Sequence, residues 1–156
     1  LVALDQLVKF WAEHSLSQVD TIALIPGVFH LTYVQNFGAA FNTMNNQRLL
    51  LVVLTSAVLL VIFVLLLLGK LRSPWMVVSW SLILAGGAGN LIDRLFREGG
   101  YVVDLFDFRL INFPVFNVAD ICVTVGMALF LIYFIFIERK EHRRFEIRQE
   151  IKRHEQ

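Results

Sequence analysis

The chain has 156 residues, of which 57% are hydrophobic and only 17% charged, with a formal net charge of +1. That balance is far from an average soluble domain and describes an integral membrane protein built as a single domain over 1–156. Near-neutrality excludes a nucleic-acid binder, which needs a basic stripe against phosphates, and the single cysteine, Cys122, excludes an internal disulfide and any multi-cysteine metal site.

The opening LVALDQLVKFWA is apolar but short, and it starts at Leu1. Residues 1–14 therefore read as part of a truncated first span, with no cleavable signal peptide. Segment 15–48 contains PGVFHLTYVQN, which alternates Phe29, Leu31 and Tyr33 with His30 and Thr32, the pattern of short strands at an interface. Segments 49–69 and 74–95 each supply about 20 apolar residues, enough to cross a bilayer, and the second carries Gly86, Gly87 and Gly89. Segment 96–116 mixes aromatics with carboxylates, has a hinge candidate at Gly99 and Gly100, and reads as a loop over a site. Segment 117–137 is a further span, and 138–156 is a basic tail. Lys70 and Arg72 lie between the second and third spans, and Arg139, Lys140, Arg143, Arg144, Arg148, Lys152 and Arg153 follow the last. By the positive-inside rule these are cytoplasmic, as are both termini, and 15–48 and 96–116 face outward. The expected fold is a membrane all-α bundle of four transmembrane helices with a small extracytoplasmic β-rich platform and an outer loop or helix over the site.

An ionised carboxylate at membrane depth costs about 2.5 to 3.5 kcal/mol or more, so each one needs a partner or a task. Four qualify, Asp5, Asp93, Asp104 and Asp120, and the topology sets all four at one level near the outer leaflet. In GGAGNLIDR, Asn90 and Arg94 share a helix face, and the glycines permit close helix approach; a packing seam closed by an Asp93–Arg94 ion pair is one reading. In FNVAD, Asn117 is placed to cap the last helix, with Asp120 in its first turn. His14 and His30 lack ligand spacing and read as interface residues. Cys122 reads as a small buried side chain, and Trp11, Trp75 and Trp80 as interface or lipid contacts.

Taken in order, LDQLVKF, NFGAAFN, GGAGNLIDR, VVDLFDF and FNVAD resemble the successive signature blocks of the lipoprotein signal peptidases, also called signal peptidase II, over nearly the whole chain. The resemblance implies an intramembrane aspartic endopeptidase of the bacterial inner membrane. Such an enzyme cuts the signal peptide from a diacylglyceryl-modified prolipoprotein just before the lipidated cysteine, without metal or other cofactor. It also implies a catalytic pair at Asp104 and Asp120, substrate contacts at Asn36, Asn90, Arg94 and Asn117, and supporting carboxylates at Asp5 and Asp93. Asp107, close to Asp104, is a decoy that the sequence alone does not exclude. The loop between Asp104 and Asp120 is slightly short for the family, and Cys122 stands where a small hydroxyl residue is common.

The chemistry agrees with that resemblance. Hydrolysis of a peptide needs an activated water and a protonated leaving amine, and two close carboxylates that share one proton supply both. The expected partners are the lipid-modified prolipoprotein and membrane lipids, with no nucleic acid, and the enzyme is expected to act as a monomer. Two rivals of other classes are a small proton- or ion-coupled transporter subunit, with Asp5, Asp93 and Asp120 as a relay, and a non-catalytic assembly subunit using GGAGN as a packing face.

Overall fold

The structure, a computed structural model, describes residues 1–38, 47–71 and 73–138, apart from the side chains of 137 and 138. Expectations for Asn42 of NFGAAFN, for Arg72 and for the tail beyond 138 lie outside the described residues. Helix α1 (Val2–His14) leads through a short 3-10 turn into strands β1 (Thr21–Ile25) and β2 (Phe29–Asn36), and helices α2 (Arg48–Leu67) and α3 (Pro74–Phe96) follow. Strand β3 (Val102–Phe108) and helix α4 (Val118–Ile132) complete the fold, α4 running on into a π-helical segment, Tyr133–Glu138.

Three helical segments are long and apolar enough to cross a membrane: Arg48–Leu67, Pro74–Phe96 and Val118–Phe136. Helix α1 has 13 residues, roughly 20 Å of helix against about 30 Å of bilayer core, so the expectation of four spanning helices is met by three among the described residues. The densest packing joins α3 to α4, and glycine makes it possible. A Cβ on Gly86 would collide with the Ala119 carbonyl oxygen and the Val123 side chain, and one on Gly126 would come within 2.7 Å of the Ser79 carbonyl oxygen. The glycine-lined seam expected for GGAGN is therefore present, with α4 as its partner.

The platform is a three-stranded antiparallel sheet in the order β1-β2-β3. Its third strand corrects the expectation that 96–116 is an outer loop: VVDLFDF pairs with FHLTYVQN, setting Val34 opposite Asp104 and His30 opposite Asp107. Two glycines turn the chain into it. Gly99 and Gly100 adopt φ of +78° and +72°, and Arg48 occupies the space a Gly100 side chain would need, so this turn is packed. The sheet is seated on α1 by Ala12, Leu16, Val103 and Leu105, all buried, with Val8, Leu31, Tyr33, Tyr101 and Phe106 around them. That seating carries β3 beside α1 to the C-terminal end of α3 and the N-terminal end of α4, where polar residues of all three helices gather.

Candidate active site

Successive side chains of a strand point to opposite faces, so Asp104 and Asp107, three apart on β3, face different ways. Asp104 is 2% exposed and points toward α4. Asn117 Nδ2 donates to its Oδ1 (2.6 Å), and Asn36 Nδ2 of β2 donates to its Oδ2 (2.9 Å). Asp120 is half-buried in the first turn of α4. Its Oδ1 accepts from Asn90 Nδ2 of α3 (2.8 Å), and its Oδ2 accepts from the Asn117 backbone N–H (3.2 Å). Asn117 Oδ1 in turn accepts from the Asp120 N–H (2.9 Å), closing the capping box that the sequence predicts for this helix.

Asn117, itself wholly buried, thus holds both carboxylates and sets them side by side. Each of the four carboxylate oxygens has one amide donor. Among the described residues neither carboxylate lies within ion-pair distance of a cation. Burial, and then the negative charge of Asp120, push Asp104 up to about 7, against the pull of the Asn36 and Asn117 hydrogen bonds. A carboxyl so placed keeps its proton near neutrality beside a second carboxylate.

Beneath this pair lies a second set of charges. Lys9, 0% exposed, donates to Asp5 Oδ2 and Asp93 Oδ2, both at 2.9 Å, and to Asn90 Oδ1 at 2.8 Å. Asp93 is also paired with Arg97 Nε (3.1 Å), and Arg97 with Glu13, which accepts from the Tyr101 hydroxyl (2.7 Å). Gln6 Nε2 reaches both Asp5 and Asp93, and Asp5 Oδ1 accepts the Ala119 N–H (2.8 Å), one of the donors a helix start leaves without an internal partner. The expected Asp93–Arg94 ion pair is therefore corrected: adjacent residues on a helix diverge by about 100°, so Asp93 turns to Lys9 and Arg97 while Arg94 turns away. Arg94, buried, donates to the Gly38 carbonyl (2.8 Å) and the Asn90 carbonyl (3.4 Å), and its charge acts on Asp120, Asp104 and Asp93.

All eight residues singled out in the sequence as catalytic, contacting or supporting belong to this one assembly, and Asp107 does not. On the far face of β3, Asp107 accepts from Thr32 Oγ1 (2.7 Å) and Arg109 Nε (2.8 Å). Burial raises it, but those two hydrogen bonds and the Arg109 charge outweigh burial and hold it below the usual carboxylate range. Sequence reasoning missed Lys9, Gln6 and Arg97. A signal for Lys9 was there: a lysine four residues after an aspartate in an apolar helix needs a buried counter-charge. His14 and His30 lie apart, His14 Nδ1 against the Phe10 carbonyl and His30 Nε2 accepting from the Gly27 N–H. Phe106, Phe113 and Phe116 form an aromatic group, with Phe106 and Phe116 ring centroids 5.5 Å apart.

The chain has counterparts among known proteins. The sequence profile of the family described as Signal peptidase (SPase) II matches residues 1–136. A protein named Lipoprotein signal peptidase from Streptococcus thermophilus (strain CNRZ 1066) is 43% identical over 142 residues, 91% of this chain and 92% of its own length. One of the same name from Clostridioides difficile (strain 630) is 43% identical over 140 residues, covering 90% and 93%. Two solved structures, described as bacterial membrane enzymes determined by the in meso method, superpose with TM-scores of 0.79 and 0.76 at 29% identity. The first covers 86% of this chain and 82% of its own, the second 87% and 88%. The chain belongs to the signal peptidase (SPase) II family.

Proposed function

We propose that this protein is an aspartic endopeptidase of the bacterial inner membrane that removes the signal peptide from diacylglyceryl-modified prolipoproteins, cutting before the lipidated cysteine. Asp104 and Asp120 are its catalytic pair. The observation that carries the reading is the pair itself: two carboxylates bridged by Asn117 and, among the described residues, held by neutral amides. Such a pair retains the freedom to share a proton, which cations at its oxygens would remove.

In this assignment Asp120 is the base. Its two oxygens accept N–H donors at the N-terminal end of α4. It takes a proton from a water as the oxygen adds to the scissile carbonyl, while Asp104 hydrogen-bonds the carbonyl oxygen through its own proton. Collapse of the tetrahedral intermediate breaks the C–N bond and delivers a proton to the leaving amine. The pair returns to its singly protonated state and titrates as a unit. Asn36, Asn90, Arg94 and Asn117 surround the pair with donors, and Arg94 is the cation placed to stabilise developing negative charge. The site faces the outer leaflet, where a lipid-bearing substrate meets water, and both termini are cytoplasmic. A single copy of the chain suffices, since every named residue comes from it.

A proton or ion relay fits this distribution poorly. A relay needs polar groups through the membrane, whereas the buried charged residues, among those described, gather at one end and α2 offers only Thr55 and Ser56 below them. The test is Asp104→Asn and Asp120→Asn in purified protein, assayed on a diacylglyceryl-modified prolipoprotein in detergent. Each variant is expected to retain its thermal unfolding transition and lose cleavage. Normal cleavage by Asp104→Asn would overturn the assignment.

A further inference from the structure

Three asparagines present their amide nitrogens to the two carboxylates, and an amide does so only if its oxygen is held elsewhere. For Asn36 the oxygen accepts from the Gly38 N–H (2.9 Å), and for Asn117 from the Asp120 N–H (2.9 Å). Both locks are backbone groups and survive any side-chain change. The third amide is different. Asn90 Oδ1 accepts from Lys9 Nζ at 2.8 Å, and from Asn117 Nδ2 at 3.1 Å. Asn117 Nδ2 has two protons and three acceptors within reach, Asp104, Asn90 and the Val103 carbonyl, and its shortest bond goes to Asp104. The lysine has no such conflict: an ammonium has three protons and no acceptor capacity, and here each proton has one acceptor, Asp5, Asp93 and Asn90.

We infer that Lys9 is a positioning residue for the proposed peptide hydrolysis, fixing the Asn90 amide so that its nitrogen donates to Asp120. An ammonium can meet only the oxygen end of an amide, so Lys9 dictates which end Asn90 turns to α4. With the amide reversed, an oxygen would confront the Asp120 carboxylate. Asp5 and Asp93 neutralise Lys9 and hold it in place, Arg97 shares Asp93 from the other side, and Asp120 lies one residue further on, through Asn90. The buried ion cluster thereby reaches the catalytic pair through one rotatable amide, without touching it. This inference rests on the peptidase reading.

The test is a double-mutant cycle between Lys9→Met and Asn90→Ala, measured as kcat and KM on the lipid-modified prolipoprotein in detergent. If Lys9 acts through Asn90, each single variant lowers kcat about 10- to 100-fold, the range for losing a hydrogen bond to a charged group, with KM little changed. The double variant is then no slower than Asn90→Ala alone. A role in stability alone predicts the opposite: Lys9→Met lowers the unfolding temperature, and its effect on kcat either vanishes or multiplies with that of Asn90→Ala. Because Lys9→Met strands two buried carboxylates, the same cycle is run in an Asp93→Asn background, where removing the lysine takes one charge of each sign from the cluster and leaves its net charge unchanged. Multiplicative losses in that background overturn the inference. Absence of cleavage by the unaltered protein would instead remove the peptidase reading, so the two failures are separable.

Discussion

The two sets of buried carboxylates in this molecule are near neighbours with opposite surroundings. Asp5 and Asp93 meet Lys9 and Arg97 at ion-pair distance. Among the described residues, Asp104 and Asp120 meet only amides from Asn36, Asn90 and Asn117. An ammonium or guanidinium fixes a carboxylate in its charged form, which suits a structural tie among α1, α3 and α4. A neutral amide holds a carboxyl in place and biases it toward the charged form less than a cation does, and that freedom is what acid–base chemistry needs. Burial alone does not separate the two sets; the partner does.

The contrast is broken most severely at the amide-held pair. Asp104→Asn and Asp120→Asn are expected to lower kcat by at least about a thousandfold with little change in thermal stability, read by cleavage and by unfolding in detergent. At the cation-held pair the expected loss is one of stability. Asp93→Ala strips Lys9 and Arg97 of a shared counter-ion and should cost about 3 to 5 kcal/mol, seen as a lower unfolding temperature. Gly86→Val, which pushes a side chain into the Ala119 carbonyl, should cost about 1 to 3 kcal/mol by forcing α3 from α4, and should lower activity by displacing Asn90.

The pH profile sharpens the same comparison. With Asp104 raised to about 7, its protonated form contributes stability that is complete below the usual carboxylate value near 3.8 and is lost as pH rises through about 7. Cleavage that needs the Asp104 proton should therefore fall on the alkaline side of about pH 7, and a kcat profile flat to pH 9 would contradict it. The smallest effect belongs to Asp107→Asn, which loosens a partly exposed pair with Arg109. It should cost less than about 1 kcal/mol and leave cleavage within about twofold of the unaltered protein.

Much of the site was legible as residue types under constraint. Carboxylates in an apolar chain had to have partners, and Asn117 ahead of Asp120 had the form of a helix cap, which the capping box bears out. VVDLFDF was harder, because a short strand among aromatics and carboxylates is recognisable only when its partner strand, 66 to 79 residues earlier, is in register with it. The Asp93–Arg94 pair failed for a simpler reason: residues adjacent in sequence do not share a helix face.

The sequence by itself determined that the chain belongs in a membrane, which segments are apolar enough to cross it, and which acidic residues demand explanation, since these follow from local composition and the cost of exposing polar groups to lipid. Only the tertiary structure decided which acid meets a cation and which meets an amide. That choice depends on β3 packing against α1 and on glycine letting α3 close on α4, contacts between segments up to 114 residues apart that no local pattern encodes.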